Sequence, residues 1–218
     1  MPEIPNTGYQ RDAVFQPGTG GVYIAPVGTM PPTLENIKTW LDSADRTDNI
    51  GEDWAPIGYT SIEDLPGLEA DTEGGEKMGV FEDSSFRVSA ITSTDTVLVK
   101  PVQWTEIPIK HRFGARATLD GKTGMISIPK DYVPVECAIL VVFVDQGVPL
   151  CIYNGRVSSA PDGGIEADRE QFLAMPIKYT VLSAPGNLPY MAIIGFHLQT
   201  IDTDGDGIRD IVDPTPGP

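Results

Sequence analysis

Asp202, Asp204, Asp206 and Asp213 are spaced as oxygen ligands for a hard cation. A twelve-position calcium loop needs carboxylates at positions 1, 3 and 5, a glycine at 6 for the sharp turn and a carboxylate at 12. Starting from Asp202, Gly207 takes the turn position, Ile208 offers a backbone carbonyl, and Asp210 acts directly or through water. Two features depart from the usual pattern. Asp213 stands where a longer, bidentate Glu is common, and Pro214 leaves no exit helix. The shorter carboxylate should weaken the site, to a dissociation constant on the order of 10⁻⁴ M or poorer. Without a cation, the segment reduces to a solvated acidic tail.

No other chemistry reaches this specificity. The two histidines, His111 and His197, have no metal-ligand spacing and read as surface or satisfied strand residues. The glycine run at residues 18–21 lacks the strand before it and the lysine after it that a phosphate loop needs, and no nucleophile elbow occurs. An enzyme is not expected, and no cofactor is required. Cys137 and Cys151 are too few for a disulfide scaffold. In a hairpin turning at Gln146-Gly147, Cys137 would oppose roughly Arg156 and Cys151 would oppose Val142, beyond disulfide reach. Trp40, Trp54 and Trp104 are dispersed and read as packing residues.

The chain has 218 residues, with 15 basic and 31 acidic side chains, for a net charge of −16. Such a surface disfavours static binding to DNA or to anionic membrane. Residues 35–83 hold 14 acids and three bases, whereas residues 87–130 hold seven bases and three acids. Opposite-sign segments can meet within one fold or across subunits, where they would set register. The longest strictly apolar run, residues 138–144, is seven residues, too short to span a bilayer. The first residues, Met-Pro-Glu-Ile-Pro-Asn, lack a basic flank and an apolar stretch, so no signal peptide is expected and the protein should stay soluble until it assembles.

The elements that position these groups are mostly strands. Residues 1–20 carry three prolines and three glycines and read as an extended N-terminal arm. Residues 21–28 are the first strand, and Thr33 caps a helix with Leu34, Ile37, Trp40 and Leu41 on one face. Residues 55–59 form a short strand. Residues 67–85, acidic and poor in large apolar groups, read as a long exposed loop or flexible hairpin. Residues 86–92 and 96–102 alternate in the β manner. Pro108 allows only a short helix there, running towards His111. Strands are expected at 113–119 and 125–129 around an Asp120-Gly121-Lys122 turn. Two apolar runs meet at Asp145-Gln146-Gly147, a hairpin signal, followed by a polar arm ending at Gly163-Gly164. Further strands are expected at 175–184 and 189–200.

Across residues 21–185 the order of these features resembles the major tail proteins of long-tailed phages, the subunits of tail tubes. The matching features are the buried strand 141–144, Asp145, the strand 152–156 ending in Arg156, Gly163-Gly164, the acidic run 166–170, and the Pro176-started strand to 182. The start GGVYIAPVGT at residues 20–29 is similar to tail proteins of phages that infect actinobacteria, and Gln103-Trp104 resembles a family "QWN" site. The terminal Asp-rich run is similar to dockerin and thrombospondin type 3 loops.

The tail-tube resemblance implies a mainly β, sandwich or barrel-like fold with one short flanking helix. The domain would span residues 21–200, with the arm 1–20 before it and an acidic extension, 201–218, after it. It implies a virion protein that assembles in the host cytoplasm into hexameric rings stacked as a tube. Its partners would be other copies of itself, the tape-measure protein, the tail terminator and baseplate or tail-tip proteins, with transient passage of DNA and no membrane. In an acidic lumen repelled phosphate would slide, which makes Glu63, Asp64, Glu69, Asp71, Glu73 and Glu76 the candidate lumen residues, with residues 35–53 as the other candidate acidic region. The alternatives are another phage tail or head–tail joining protein, or a calcium-dependent β-sandwich binding module.

Overall fold

The computed structural model describes residues 14–43 and 50–195. In chain order the elements are β1 (Thr19–Ala25), α1 (Leu34–Asp42), β2 (Ala55–Pro56), β3 (Gly67–Glu73), β4 (Lys77–Val80), β5 (Asp83–Val88), β6 (Thr92–Val99) and α2 (Glu106–Phe113). Then follow β7 (Thr118–Asp120), β8 (Met125–Ser127), β9 (Glu136–Asp145), β10 (Val148–Pro161), β11 (Ile177–Val181) and β12 (Ala192–Gly195). The fold is mainly β, and the described residues hold two short helices, the Thr33-capped α1 and the short α2 around Pro108.

The unbroken apolar run of β9 reflects burial on both faces. Successive strand side chains point to opposite sides. Ala138, Leu140, Val142 and Val144 pack with Tyr23, Ile37, Trp40 and Trp54 on one side. Cys137, Ile139 and Val141 pack with Val22, Ile57, Val97, Val99 and Tyr179 on the other. A strand covered on one face would alternate; this one has no polar position to spare.

α1 supplies part of the first cover. Thr33 Oγ1 accepts the Asn36 N–H at 3.2 Å, the expected cap. Ile37 and Trp40 are buried, and the Trp40 ring meets Tyr23 edge-on at 5.9 Å. α2 tolerates Pro108 because that residue sits in the first turn, where the N–H would have no helical partner anyway. Phe113 closes this helix, so the strand expected from 113 begins only at Thr118.

The β9–β10 turn has both central residues at positive φ, Gln146 at 47° and Gly147 at 89°, as a two-residue hairpin requires. Cys151 opposes Val142 as expected, but Cys137 opposes Val157, because the ladder shifts between Asn154 and Val157. Both cysteines are free and buried, and burial pushes each thiol up to about 12. The bulge bends β10 and changes its partner. Leu150 to Tyr153 pair with β12, whereas Val157 to Pro161 pair with β11. The polar arm expected after Arg156 is therefore the second half of a 14-residue strand.

The main sheet runs β2-β1-β9-β10-β11-β6-β3, with β12 on β10. Its flanks meet beyond β2 and β6 through the bridge Thr60↔Pro101, with Ser61 N–H donating to Lys100 O and Val102 N–H to Tyr59 O, each at 2.9 Å. The sheet thus curls in a barrel-like way around the Val97–Tyr179 cluster. β11 is shorter than the strand expected at 175–184, and β12 starts at Ala192, three residues later than expected; residues 196–200, His197 among them, lie outside the described residues.

Candidate assembly surfaces

The acidic segment expected as an exposed loop or flexible hairpin is a paired arm. β3 pairs β6 over its whole length, from Gly67↔Leu98 to Glu73↔Thr92. Beyond Gly74-Gly75, β4 and β5 continue as a separate two-stranded ribbon. Gly74 and Gly75 have φ of 92° and 77°, and a Cβ on Gly74 would lie 2.0 Å from Ala90 O. Only glycine allows the two strands to cross so closely there.

Three of the six candidate lumen residues share one face of this arm. Glu69, Asp71 and Glu73 alternate along β3, opposite Thr96, Thr94 and Thr92. The pairing continues across the sheet as a polar row, Glu69, Thr96, Thr180, Ser158 and Glu136, five strands wide. Lys178 joins the shallow depression formed by Glu69, Asp71, Thr94, Thr96 and Thr180. The other three candidates lie elsewhere. Glu63 and Asp64 precede β3, and Asp64 is ion-paired to Lys100 at 2.9 Å. Glu76 lies between β3 and β4, its N–H donating to Ser89 Oγ at 3.0 Å. Sequence reasoning missed the threonines, although their every-second spacing from Thr92 to Thr96 marks one strand face.

The same sheet face is treated in two ways. Over β1, β9 and the first half of β10 it is apolar and α1 covers it. Over the rest of β10, β11, β6 and β3 it carries the polar row, and no described helix covers it.

The arm's distal ribbon is different again. Met78, Val80, Phe81, Phe86, Val88 and Ile91 are exposed there, Phe81 fully and Phe86 to 64%. A second apolar feature is a groove of about 680 Å³ beside β1, floored by Val22 and Ile57 and walled by Pro56, Tyr59, Gln103 and Ile107.

The titratable groups around α2 serve packing. His111 is a buried helix residue, not a strand or surface one. Its Nδ1 lies 2.9 Å from the Tyr179 hydroxyl, and burial lowers its pKa to about 4. Arg112 donates to the carbonyls of Pro176 (2.6 Å) and Gly163 (2.7 Å), pinning the segment before β11. Trp40 and Trp54 are core residues, while Trp104 is half exposed and donates to Leu173 O at 3.0 Å. Among the described residues no cluster of three His, Cys, Asp or Glu is placed to hold a metal. The Asp202–Asp213 ligand set lies outside them. No described helix is long and apolar enough to cross a membrane.

Comparison with known proteins gives the class of this curled sheet with its paired arm and covering helix. A model of the phage tail tube protein family matches residues 7–202, so this chain belongs to that family and is a structural tail protein. Among characterised relatives, it is 30% identical over 188 residues to the major tail protein Gp23 of Mycobacterium phage D29, covering 82% of this chain and 89% of that protein. The Gp23 major tail protein of Mycobacterium phage L5 is 28% identical over 187 residues, with the same shares covered. The resemblance to tail proteins of actinobacterial phages is therefore borne out.

Proposed function

We propose that this chain is the repeating subunit of a tail tube: hexameric rings, stacked around a tape-measure protein, that conduct DNA from capsid to host. Tail terminator and tail-tip proteins would close its two ends, and assembly would take place in the host cytoplasm. The observation that carries this reading is the divided sheet face. One half is covered by α1 together with Ile50 and Trp54, and the other exposes the acids and Thr92 and Thr94 of the arm, with Thr180 and Ser158 part-exposed and Thr96 buried between them. A lumen needs such a surface. Hydroxyls and carboxylates stay hydrated, and the carboxylates repel phosphate, so passing DNA finds no cationic row to hold it. Lys178, flanked by Glu69 and Asp71, is outnumbered there. The role is architectural and no catalysis is assigned.

Electron microscopy of the assembled protein tests the reading. Rings or tubes are expected, with Glu69, Asp71 and Glu73 facing the channel. A tube with these residues on its outer surface, or with a positive lumen, would overturn the lumen assignment. Stable monomers at every concentration would overturn the tube itself.

The family match ends at residue 202, so the Asp-rich extension lies almost wholly beyond it. We assign to that extension a weak Ca²⁺ loop with Asp202, Asp204, Asp206, Ile208, Asp210 and Asp213 as ligands. Its hard oxygen set favours Ca²⁺ over Mg²⁺, which demands a tighter octahedron.

A further inference from the structure

We propose that the apolar tip of the arm seats in the groove beside β1 of a second copy of this chain. The proposal rests on the reading that the protein polymerises, and it names the contact. Met78 and Val80 project from one face of the ribbon, Phe86 and Val88 from the other, and Phe81 lies at the turn, all exposed, on a ribbon with no core of its own. Apolar groups exposed on both faces and at the turn of one ribbon differ from the single scattered residues normal for a surface and mark an interaction feature. A two-stranded ribbon is at best marginal alone and needs a surface to pack on.

The groove is the complementary element. Its floor is apolar and already formed, and its wall residue Tyr59 is exposed at 70%. No residue of the arm lines it. Geometry explains why the occupant is another copy. The groove is walled by residues 56–60 and 103–107, next to the root of the arm at Gly67 and Val99. The seven residues of β3 alone carry the chain about 23 Å outward before the tip begins. A subunit's own tip is thus directed away from its own groove.

Tip and groove are different surfaces of one chain, so the contact is heterologous and propagates to a ring or a filament. Its area falls short of the roughly 800 Å² per partner of a stable pair. One contact is therefore weak, and stability comes from every subunit giving a tip and receiving one.

Complementation between two variants tests this. Phe81→Asp removes the tip and leaves the groove; Tyr59→Glu blocks the groove and leaves the tip. Both residues are exposed, so each variant should melt like the wild type. Measured by light scattering, each alone should need at least about tenfold more protein to polymerise. An equimolar mixture should restore only single pairs, a tip from one variant in the groove of the other. A photoactivatable benzoylphenylalanine at position 59 should capture residues 76–91 of another copy. Capture of residues 1–13 or 196–218, or of no other copy, would overturn the contact. Wild-type tubes with unimpaired Phe81→Asp tubes would overturn the contact alone. A wild type that never assembles would overturn it together with the tube.

Discussion

Two hairpins in this chain are built alike and live in opposite surroundings. β9 is buried on both faces and turns through two residues into β10, whose second half leaves one face part-exposed. The arm built from β3 to β6 turns near Phe81 and is exposed through β3, β4 and β5. The central hairpin keeps its shape because other elements of the same chain fill both sides. The arm holds backbone pairing without a core, so its shape has to be completed from outside. A strand pair therefore becomes core or connector according to what covers its faces, since the backbone ladder is common to both.

The largest test of that contrast is a matched pair of truncations. Leu140→Ala, at a fully buried position, should cost about 2–5 kcal/mol in denaturant unfolding. Phe81→Ala should change unfolding by less than about 0.5 kcal/mol while impairing polymerisation. Equal losses would show that the arm is part of the folding unit.

The next effect is the response to acid, which should also belong to the packed region. His111 has a folded pKa of about 4 against 6.5 for the free side chain. Between those values the unfolded chain binds the extra proton, so stability rises with pH across the window and is lost as pH falls from 6.5 towards 4. The loss should reach on the order of 3 kcal/mol. Urea midpoints at pH 7, 5 and 4 should fall more steeply for wild type than for His111→Gln, because the carboxylates common to both cancel. Identical slopes would mean that His111 titrates as an exposed residue.

Smaller still is the effect of removing residues 2–16. This truncation breaks the 2.9 Å hydrogen bond from the Gln16 N–H to the Asp145 carboxylate, at an exposed turn. Thermal stability should be nearly unchanged and polymerisation impaired, which would place this segment with the arm as a connector. A drop in both, or in neither, would remove it from that group.

The smallest expected effect is at the C-terminal extension. Titration calorimetry with Ca²⁺ should show weak binding for wild type and none for Asp204→Ala, with the melting temperature of the fold unmoved. Two flat titrations would reduce the segment to an acidic tail.

The packed region is the more legible in the sequence. The run 138–144, the Gln146-Gly147 turn and the Thr33 cap all act through neighbours in the chain, so local pattern reveals them. The bulge after Asn154 is hidden because Asn154-Gly155-Arg156 reads as the polar end of an apolar strand, and only the change of partner from β12 to β11 requires it. His111 and Tyr179 are 68 residues apart, and nothing local links them. The arm reads as an exposed loop or hairpin because neither face is buried, which removes the periodicity that marks a strand. Of the candidate lumen acids, the three with period-2 spacing share a face, and the three outside β3 do not.

The positive-φ glycines Gly74 and Gly75 have a mechanical consequence. They separate a stiff, cored body from the ribbon that would grip its neighbour, and they resist backbone rotation less than any other pair of residues. In a tube joined through such arms, curvature would collect at these pivots and leave the cores undistorted. Bending stiffness would then be set by two residues per subunit, independently of how tightly the subunits are folded.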